Sequence, residues 1–170
     1  MKSKTINVLL VENEEAHAEL VRRSFDCYPE KFQLNVVGTI SGARMILTES
    51  PPDIVIAELR LPDGDSTELL PGRIRQAEFP FVVITSNGDE HAAVRVMKMG
   101  ALDYIPKTEE VLATMPQIVE RSLREWVNIV ESTQVEDSLR ESEERFRALL
   151  LNLEAGIVVH GPDTSIVMNN

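Results

Sequence analysis

Four short apolar runs in this chain end at polar side chains whose types suit acid, base or phosphate chemistry. The runs and their end residues are 6–11 with Glu12 and Asn13, 54–57 with Glu58, 81–84 with Thr85 and Ser86, and 104–106 with Lys107. Carboxylates grouped together can hold a divalent cation, and a lysine beside them can bind a phosphate or a carboxylate. These side chains can act together only if the four runs lie side by side.

The spacing of the apolar runs predicts an α/β fold that brings their ends together. Short β-branched runs that alternate with helix-like segments are typical of a doubly wound parallel sheet with helices on both faces. Residues 34–37 supply a further run, which makes a five-stranded sheet. Sites in such sheets lie beyond the carboxyl ends of the strands. We therefore expect one shared cleft.

Helices are predicted after each strand, so that five strand and helix pairs fill residues 5 to about 128. The first covers 14–25 with Asn13 as a plausible N-cap, the second covers 42–49, and Thr108 opens the last. The helix after the 61–64 loop is expected near Ser66 or Thr67. Pro71 and Gly72 interrupt it, which predicts a kink or a late start.

Composition narrows the classes of function. The 170 residues include 28 acidic and 17 basic side chains, for a net charge of −11, which argues against a nucleic-acid partner. Cys27 is the single cysteine, so an internal disulfide is excluded and a reducing compartment is expected. No apolar run approaches the roughly 18 residues of a membrane span. We expect a cytoplasmic location and no membrane contact in this segment.

The last third of the chain differs in composition. Residues 117–155 contain no Pro or Gly, which favours one continuous helix, whereas a capping box at 133–136 favours a break near Ser132. Within this segment, mostly apolar residues recur at alternating intervals of four and three positions. This spacing fits either a dimeric coiled coil or an amphipathic helix docked on its own domain. Residues 156–160 and 165–168 suggest a β-hairpin. The spaced positions are Val135, Leu139, Ser142, Phe146, Leu149 and Leu153.

Four sequence motifs resemble those of response regulator receiver domains, which have the flavodoxin-like fold. They are VLLVENEE at 8–15, PDIVIAELRLPDG at 52–64, VITS at 83–86 and GALDYIPK at 100–107. The resemblance covers residues 5–128. LRESEERFRALL at 139–150 and the hairpin after it look like the entry to a PAS sensor domain. This implies a linker helix at 129–154, a truncated PAS domain from 155 to 170, and a longer signalling protein.

The resemblance implies a role for each residue in the cleft. In the family, an aspartate at the position of Glu58 accepts a phosphoryl group from a histidine kinase or phosphotransfer protein. Mg²⁺ would be held at the positions of Glu12, Asn13 and Glu58 and by the backbone carbonyl of Arg60. The hydroxyl groups and amine at Thr85, Ser86 and Lys107 would bind the phosphoryl oxygens, and Tyr104 would be the switch residue. The module would signal rather than act as an enzyme.

The sequence departs from the family pattern at its two central acids. Glu58 is one methylene longer than aspartate, and in-line transfer is sensitive to displacements of about 1 Å. Asn13 replaces a carboxylate, which weakens Mg²⁺ binding. Glu12 and Glu58 with Lys107 then give the cleft a charge of −1, whereas three carboxylates with Lys107 would give −2. An ion pair between Glu58 and Lys107 can partly neutralise the cleft without a metal ion. Thr108 stands where the family often has proline, so we expect a trans peptide after Lys107.

Three hypotheses follow from this pattern. The first is a degenerate receiver in which Glu58 mimics a phosphorylated aspartate and a helix relays the state to a PAS-containing output. The second is an active, Mg²⁺-dependent receiver that uses Glu58 as the acceptor. The third, a nucleotide- or flavin-binding protein, is disfavoured because no G-x-G-x-x-G, P-loop or nucleophile elbow follows any strand.

Overall fold

A computed structural model of the chain describes residues 5–86, 90–151, 158–160 and 166–169. The chain divides after Ile129 into two compact units. The main sheet of the first unit consists of β1 (Ile6–Val11), β2 (Phe32–Val37), β3 (Ile54–Glu58), β4 (Phe81–Thr85) and β5 (Asp103–Pro106), and Arg60–Leu61 and Gly64–Asp65 form a separate antiparallel pair. The α-helices are α1 (Glu15–Asp26), α2 (Ile40–Glu49), α3 (Glu90–Lys98), α4 (Glu109–Ala113) and α5 (Met115–Leu151).

The five strands form one parallel sheet in the order β2-β1-β3-β4-β5. All five residues of β3 and all five of β4 are buried, as expected for central strands covered on both faces. The register pairs Leu10 with Ile56 and Ile56 with Val82, so the apolar runs lie directly beside one another. The predicted flavodoxin-like five-stranded sheet is confirmed.

Each face of the sheet has its own apolar core, because alternate residues of a strand point to opposite sides. Val8 and Leu10 belong to one cluster, and Leu9 and Val11 belong to the other. Burial of one such side chain stabilises the fold by roughly 1.5–3 kcal/mol. The first cluster includes residues of α1, α4 and the start of α5, namely Val21, Phe25, Leu112, Met115 and Val119. The second includes Ala43 of α2 and Val96 of α3.

Asn13 and Thr108 were predicted as residues that open helices, and the prediction for Asn13 is wrong. Thr108 is the N-cap of α4 and its side chain accepts a hydrogen bond from the Val111 N–H, as predicted. The N-cap of α1 is Glu14 rather than Asn13. The Glu14 N–H donates to Glu12 Oε1 at 2.9 Å, so the carboxylate of Glu12 serves this helix start.

The α-helix predicted from Ser66 or Thr67 is absent from the described chain between β3 and β4. Two short 3-10 helices, Ser66–Leu69 and Ile74–Gln76, stand in its place. Leu70 precedes Pro71 and is extended (φ −75°, ψ 146°), the conformation that a following proline favours. Gly72 then takes the left-handed region at φ 84°. The predicted pairing of every strand with a helix is therefore wrong at this one connection.

The second unit contains the later part of α5 and two short strands. Helix α5 runs through Ser132 without a break, which decides between the two alternatives left open by the sequence. Val158–His160 pairs antiparallel with Ile166–Asn169, in agreement with the predicted hairpin strands. Residues 152–157, which include Leu153, and residues 161–165 lie outside the described residues. Among the described helices, none has both the length and the hydropathy needed to cross a membrane.

Candidate functional site

The carboxyl ends of four strands bring the predicted site residues to one edge of the sheet. Glu12 directly follows β1, Glu58 ends β3, Thr85 ends β4 and Lys107 directly follows β5. Glu58 pairs in register with Ile84, next to Thr85. The Lys107 N–H donates to the Thr85 carbonyl oxygen at 2.8 Å. The shared cleft expected from the sequence is therefore present.

A buried ion triad occupies the centre of the cleft. The Lys107 Nζ lies 2.6 Å from Glu58 Oε2 and 2.9 Å from Glu12 Oε2. The side chains of Glu12 and Lys107 are each 1% exposed, and that of Glu58 is 9% exposed. At this degree of burial an unpaired charge would be strongly unfavourable, so each charge depends on the others. The Glu58 to Lys107 ion pair predicted from the sequence is present.

Backbone groups bind the other oxygen of each carboxylate. Glu12 Oε1 accepts from the Glu14 N–H at 2.9 Å, and Glu58 Oε1 accepts from the Arg60 N–H at 3.3 Å. Burial by itself lowers the pKa of Lys107, but its hydrogen bonds and charge interactions with Glu58 and Glu12 outweigh that effect and raise the pKa. Lys107 is therefore a cation at neutral pH, and the formal charges of Glu12, Glu58 and Lys107 sum to −1.

The remaining predicted site residues have different surroundings. Thr85 is buried at 3% exposure, whereas Asn13 and Ser86 are exposed. Tyr104 is half-buried and packs against the apolar cluster that contains Leu9. The peptide after Lys107 is trans, as predicted. The structure thus joins Glu12, Glu58 and Lys107 by direct contacts, while Asn13 faces solvent beside them.

A carboxylate that the sequence did not single out fixes the loop after Glu58. Asp63 Oδ1 accepts from the Ile40 N–H at 2.8 Å, and Asp63 Oδ2 accepts from the Ser41 N–H at 3.0 Å. These backbone bonds, Ser41 first, lower the pKa of Asp63. Thr39 caps the same helix through the Gly42 N–H. No local sequence signal predicts the Asp63 contact, because its partners lie more than 20 residues away.

Comparison with known proteins identifies the family. Residues 8–120 match the family model of the response regulator receiver domain. The chain is 32% identical over 124 residues to the methanogenesis regulatory protein FilR1 of Methanothrix harundinacea, covering 71% of this chain and 28% of FilR1. It is 32% identical over 102 residues to the photosynthetic apparatus regulatory protein RegA of Rhodobacter capsulatus, covering 59% of this chain and 54% of RegA.

Structural similarity agrees with the family match. A signal receiver domain from Vibrio parahaemolyticus, attributed to a Luxo repressor protein, superposes with a TM-score of 0.62 at 24% identity, over 80% of this chain and 98% of that chain. The fold and the match over residues 8–120 define a signalling receiver module. The chain belongs to the response regulator receiver domain family of two-component systems. It spans about a quarter of FilR1 and about half of RegA.

Receiver domains commonly bind Mg²⁺ at the phosphorylation site, and the donors here fit that ion poorly. Mg²⁺ favours carboxylate oxygens in a strict octahedral arrangement. The two carboxylates of the cleft are already bound to Lys107 and to backbone N–H groups. Asn13 supplies an amide rather than a third carboxylate. Over the ranges that the structure describes, no group of three or more His, Cys, Asp or Glu side chains is placed to hold a metal ion.

Proposed function

We propose that this chain is a degenerate receiver, a signalling module whose phosphoryl-acceptor chemistry is impaired. The observation that carries this proposal is the buried triad in which the Lys107 ammonium binds both Glu58 and Glu12. In the family, the equivalent lysine is needed for the incoming phosphoryl group. Here Glu58 already engages it at 2.6 Å, and the longer side chain alters the position of the nucleophile.

Glu58 would act as a fixed stand-in for a phosphorylated aspartate. Its negative charge at the end of β3 holds Lys107 at the end of β5, which is the strand that carries Tyr104. A constant contact of this kind biases a two-state element toward one conformation. Tyr104 is the proposed switch residue, with Thr85 and Ser86 as the equivalents of the phosphoryl-binding residues. The output state would then depend on binding partners rather than on phosphate.

Phosphorylation of the purified chain tests the proposal directly. The chain would be incubated with acetyl phosphate and Mg²⁺, and its intact mass would be measured. We expect no stoichiometric phosphoryl adduct. The double variant Asn13→Asp, Glu58→Asp restores both acids of the family pattern, and it should gain the adduct.

A matched variant separates acceptor chemistry from nonspecific modification. Asn13→Asp, Glu58→Asn has the restored metal ligand but no nucleophile at position 58, so it should remain unmodified. A stoichiometric adduct mapped to Glu58 in the wild-type chain would overturn the proposal and establish the active receiver. Failure of the restored variant to gain an adduct, with its fold intact by circular dichroism, would show that other residues disable the site.

The proposed partners follow from the family and from the segments after the receiver. A histidine kinase or phosphotransfer protein is the partner that receivers of this family meet. We assign residues 5–128 to the receiver-like domain, 129–154 to a linker helix and 155–170 to the start of a PAS domain. The strand pair Val158–His160 and Ile166–Asn169 supports a β-structure after the helix. The receiver would then control a PAS-containing output in a longer chain.

A second copy of the chain is the proposed partner of the linker helix. Its 3,4-spaced stripe is exposed: Val135 at 69%, Leu139 at 61%, Phe146 at 61% and Leu149 at 63%. The stripe contains two positions in every seven residues, as the seam of a coiled coil does. A helix that packs on a globular core buries a wider face, with three or four positions in every two turns. The same stripe on a second chain is its natural complement.

Light scattering at several protein concentrations tests this homodimer. The wild-type chain should become dimeric as concentration rises, and Leu139→Glu should be monomeric because it places a charge in the seam. Gln134→Glu adds the same charge at an exposed position outside the stripe, and it should dimerise like the wild type. A wild-type chain that stays monomeric throughout the concentration series would rule out the seam.

A further inference from the structure

Each oxygen of the two cleft carboxylates has one contact with a group of the protein itself, which at Glu58 Oε2 is an ion pair without a hydrogen bond. Glu12 Oε2 and Glu58 Oε2 both contact the Lys107 ammonium, at 2.9 and 2.6 Å. Glu12 Oε1 and Glu58 Oε1 each accept a backbone N–H, at 2.9 and 3.3 Å. An incoming cation would therefore have to share these carboxylates with the Lys107 ammonium, whose like charge repels it.

The charge of the cleft leads to the same result. Glu12, Glu58 and Lys107 sum to −1, and a divalent cation would turn that sum to +1 at a site whose side chains are 1–9% exposed. The buried charge would change sign without becoming smaller, so the cation would gain no neutralisation in return for losing its hydration shell. Asn13, the neighbour that could neutralise the excess, has a neutral side chain. A cleft of charge −2 would accept the same cation with full neutralisation.

We propose that the Lys107 ammonium takes the place of a divalent cation, so that the cleft excludes Mg²⁺ until its charge is lowered to −2. This inference rests on the degenerate-receiver function and specifies how the site is kept in one state. The ammonium is covalently attached, so it is present at every concentration of free metal. The receiver would consequently hold its conformation independently of cellular Mg²⁺.

Two variants that lower the charge by different routes test the inference. Lys107→Met removes the cation and leaves two carboxylates, and Asn13→Asp adds a third carboxylate while Lys107 stays. Binding of Mg²⁺ alone would be measured by isothermal titration calorimetry, and Mn²⁺ binding by loss of the free-ion electron paramagnetic resonance signal. Each variant should bind Mg²⁺ about tenfold or more tightly than the wild-type chain, as expected for one additional negative charge near the ion.

Surface variants control for the overall charge. Lys98→Met and Asn128→Asp make the same charge changes at exposed positions, and they should bind Mg²⁺ no better than the wild type. If Lys107→Met does not fold, Asn13→Asp still decides the question, because residue 13 is exposed and its substitution leaves the triad in place.

Three outcomes would overturn the inference. In the first, the wild-type chain binds Mg²⁺ as tightly as Asn13→Asp does. In the second, no folded cleft variant binds Mg²⁺ more tightly than the wild type, and in the third the surface controls gain as much affinity as the cleft variants. The acetyl phosphate experiment separates this failure from failure of the proposed function. A wild-type chain that binds Mg²⁺ tightly yet forms no phosphoryl adduct refutes the exclusion of the metal and leaves the degenerate receiver standing.

Discussion

Replacement of Lys107 by Met is the sharpest test of the buried triad. The substitution removes a cation that contacts two carboxylates and leaves Glu12 and Glu58 unpaired at 1% and 9% side-chain exposure. Loss of one partner from a buried ion pair costs about 3–5 kcal/mol. Glu58→Gln should cost less, about 1.5–3 kcal/mol, because the amide keeps the shape and Lys107 retains Glu12.

The double variant isolates the interaction between the two side chains. If the ammonium stabilises Glu58, Lys107→Met should be less costly in the Glu58→Gln background, with a coupling free energy of about 1–3 kcal/mol. Urea unfolding followed by circular dichroism measures each free energy. Lys98→Met is the control, because exposed substitutions usually stay within about 0.5 kcal/mol. A cost for Lys107→Met as small as that of Lys98→Met would refute the buried triad.

The pH dependence of the same triad has a defined sign. The pKa of Lys107 is raised because the bonds to Glu58 and Glu12 outweigh burial. Its contribution to stability is therefore complete below the ordinary lysine pKa of about 10.4 and is lost as pH rises through the higher pKa of the folded state. Alkaline unfolding should contain a step that Lys107→Met lacks. Identical alkaline profiles for the two proteins would contradict this assignment.

Two further predictions concern backbone contacts outside the triad. Gly100→Ala should destabilise the fold by about 1–3 kcal/mol in urea unfolding, because φ is 101° and an added Cβ would lie 2.8 Å from the 73–74 backbone. Gly72→Ala should cost less, since its added Cβ meets no described atom within 4 Å. Asp63 should titrate below the ordinary aspartate pKa in an NMR titration, and the amide signals at the start of α2 should follow it. Its contribution to stability is present above the ordinary pKa and is lost as pH falls through the lowered one.

The strands and the cleft were predictable from the sequence because a strand that is buried on both faces consists of an almost unbroken run of apolar residues. The apolar runs that end at Glu58 and Thr85 are central strands, and parallel strands necessarily gather their carboxyl ends at one edge. The Glu58 to Lys107 pair followed from that geometry together with charge. The resemblance of four motifs to the receiver family supplied the remaining roles.

Other features depend on contacts that sequence spacing does not encode. The Lys107 contact with Glu12 spans from β5 to β1, which β3 and β4 separate in the sheet. It requires the full length of both side chains, so strand order alone does not predict it. The helix expected from Ser66 or Thr67 does not form because Pro71 and Gly72 leave too few residues on either side for stable α-helical turns.

The pair of 3-10 helices between β3 and β4 has a consequence for how the domain opens. Short 3-10 segments have weaker backbone hydrogen bonds than a full α-helix, and amide exchange is fastest where such bonds are few. We expect protection against deuterium to be low across 66–76 and high in β3 and β4. The first partial unfolding of the domain would then begin on this flank, where a protease could cut the chain while the rest of the sheet stayed folded.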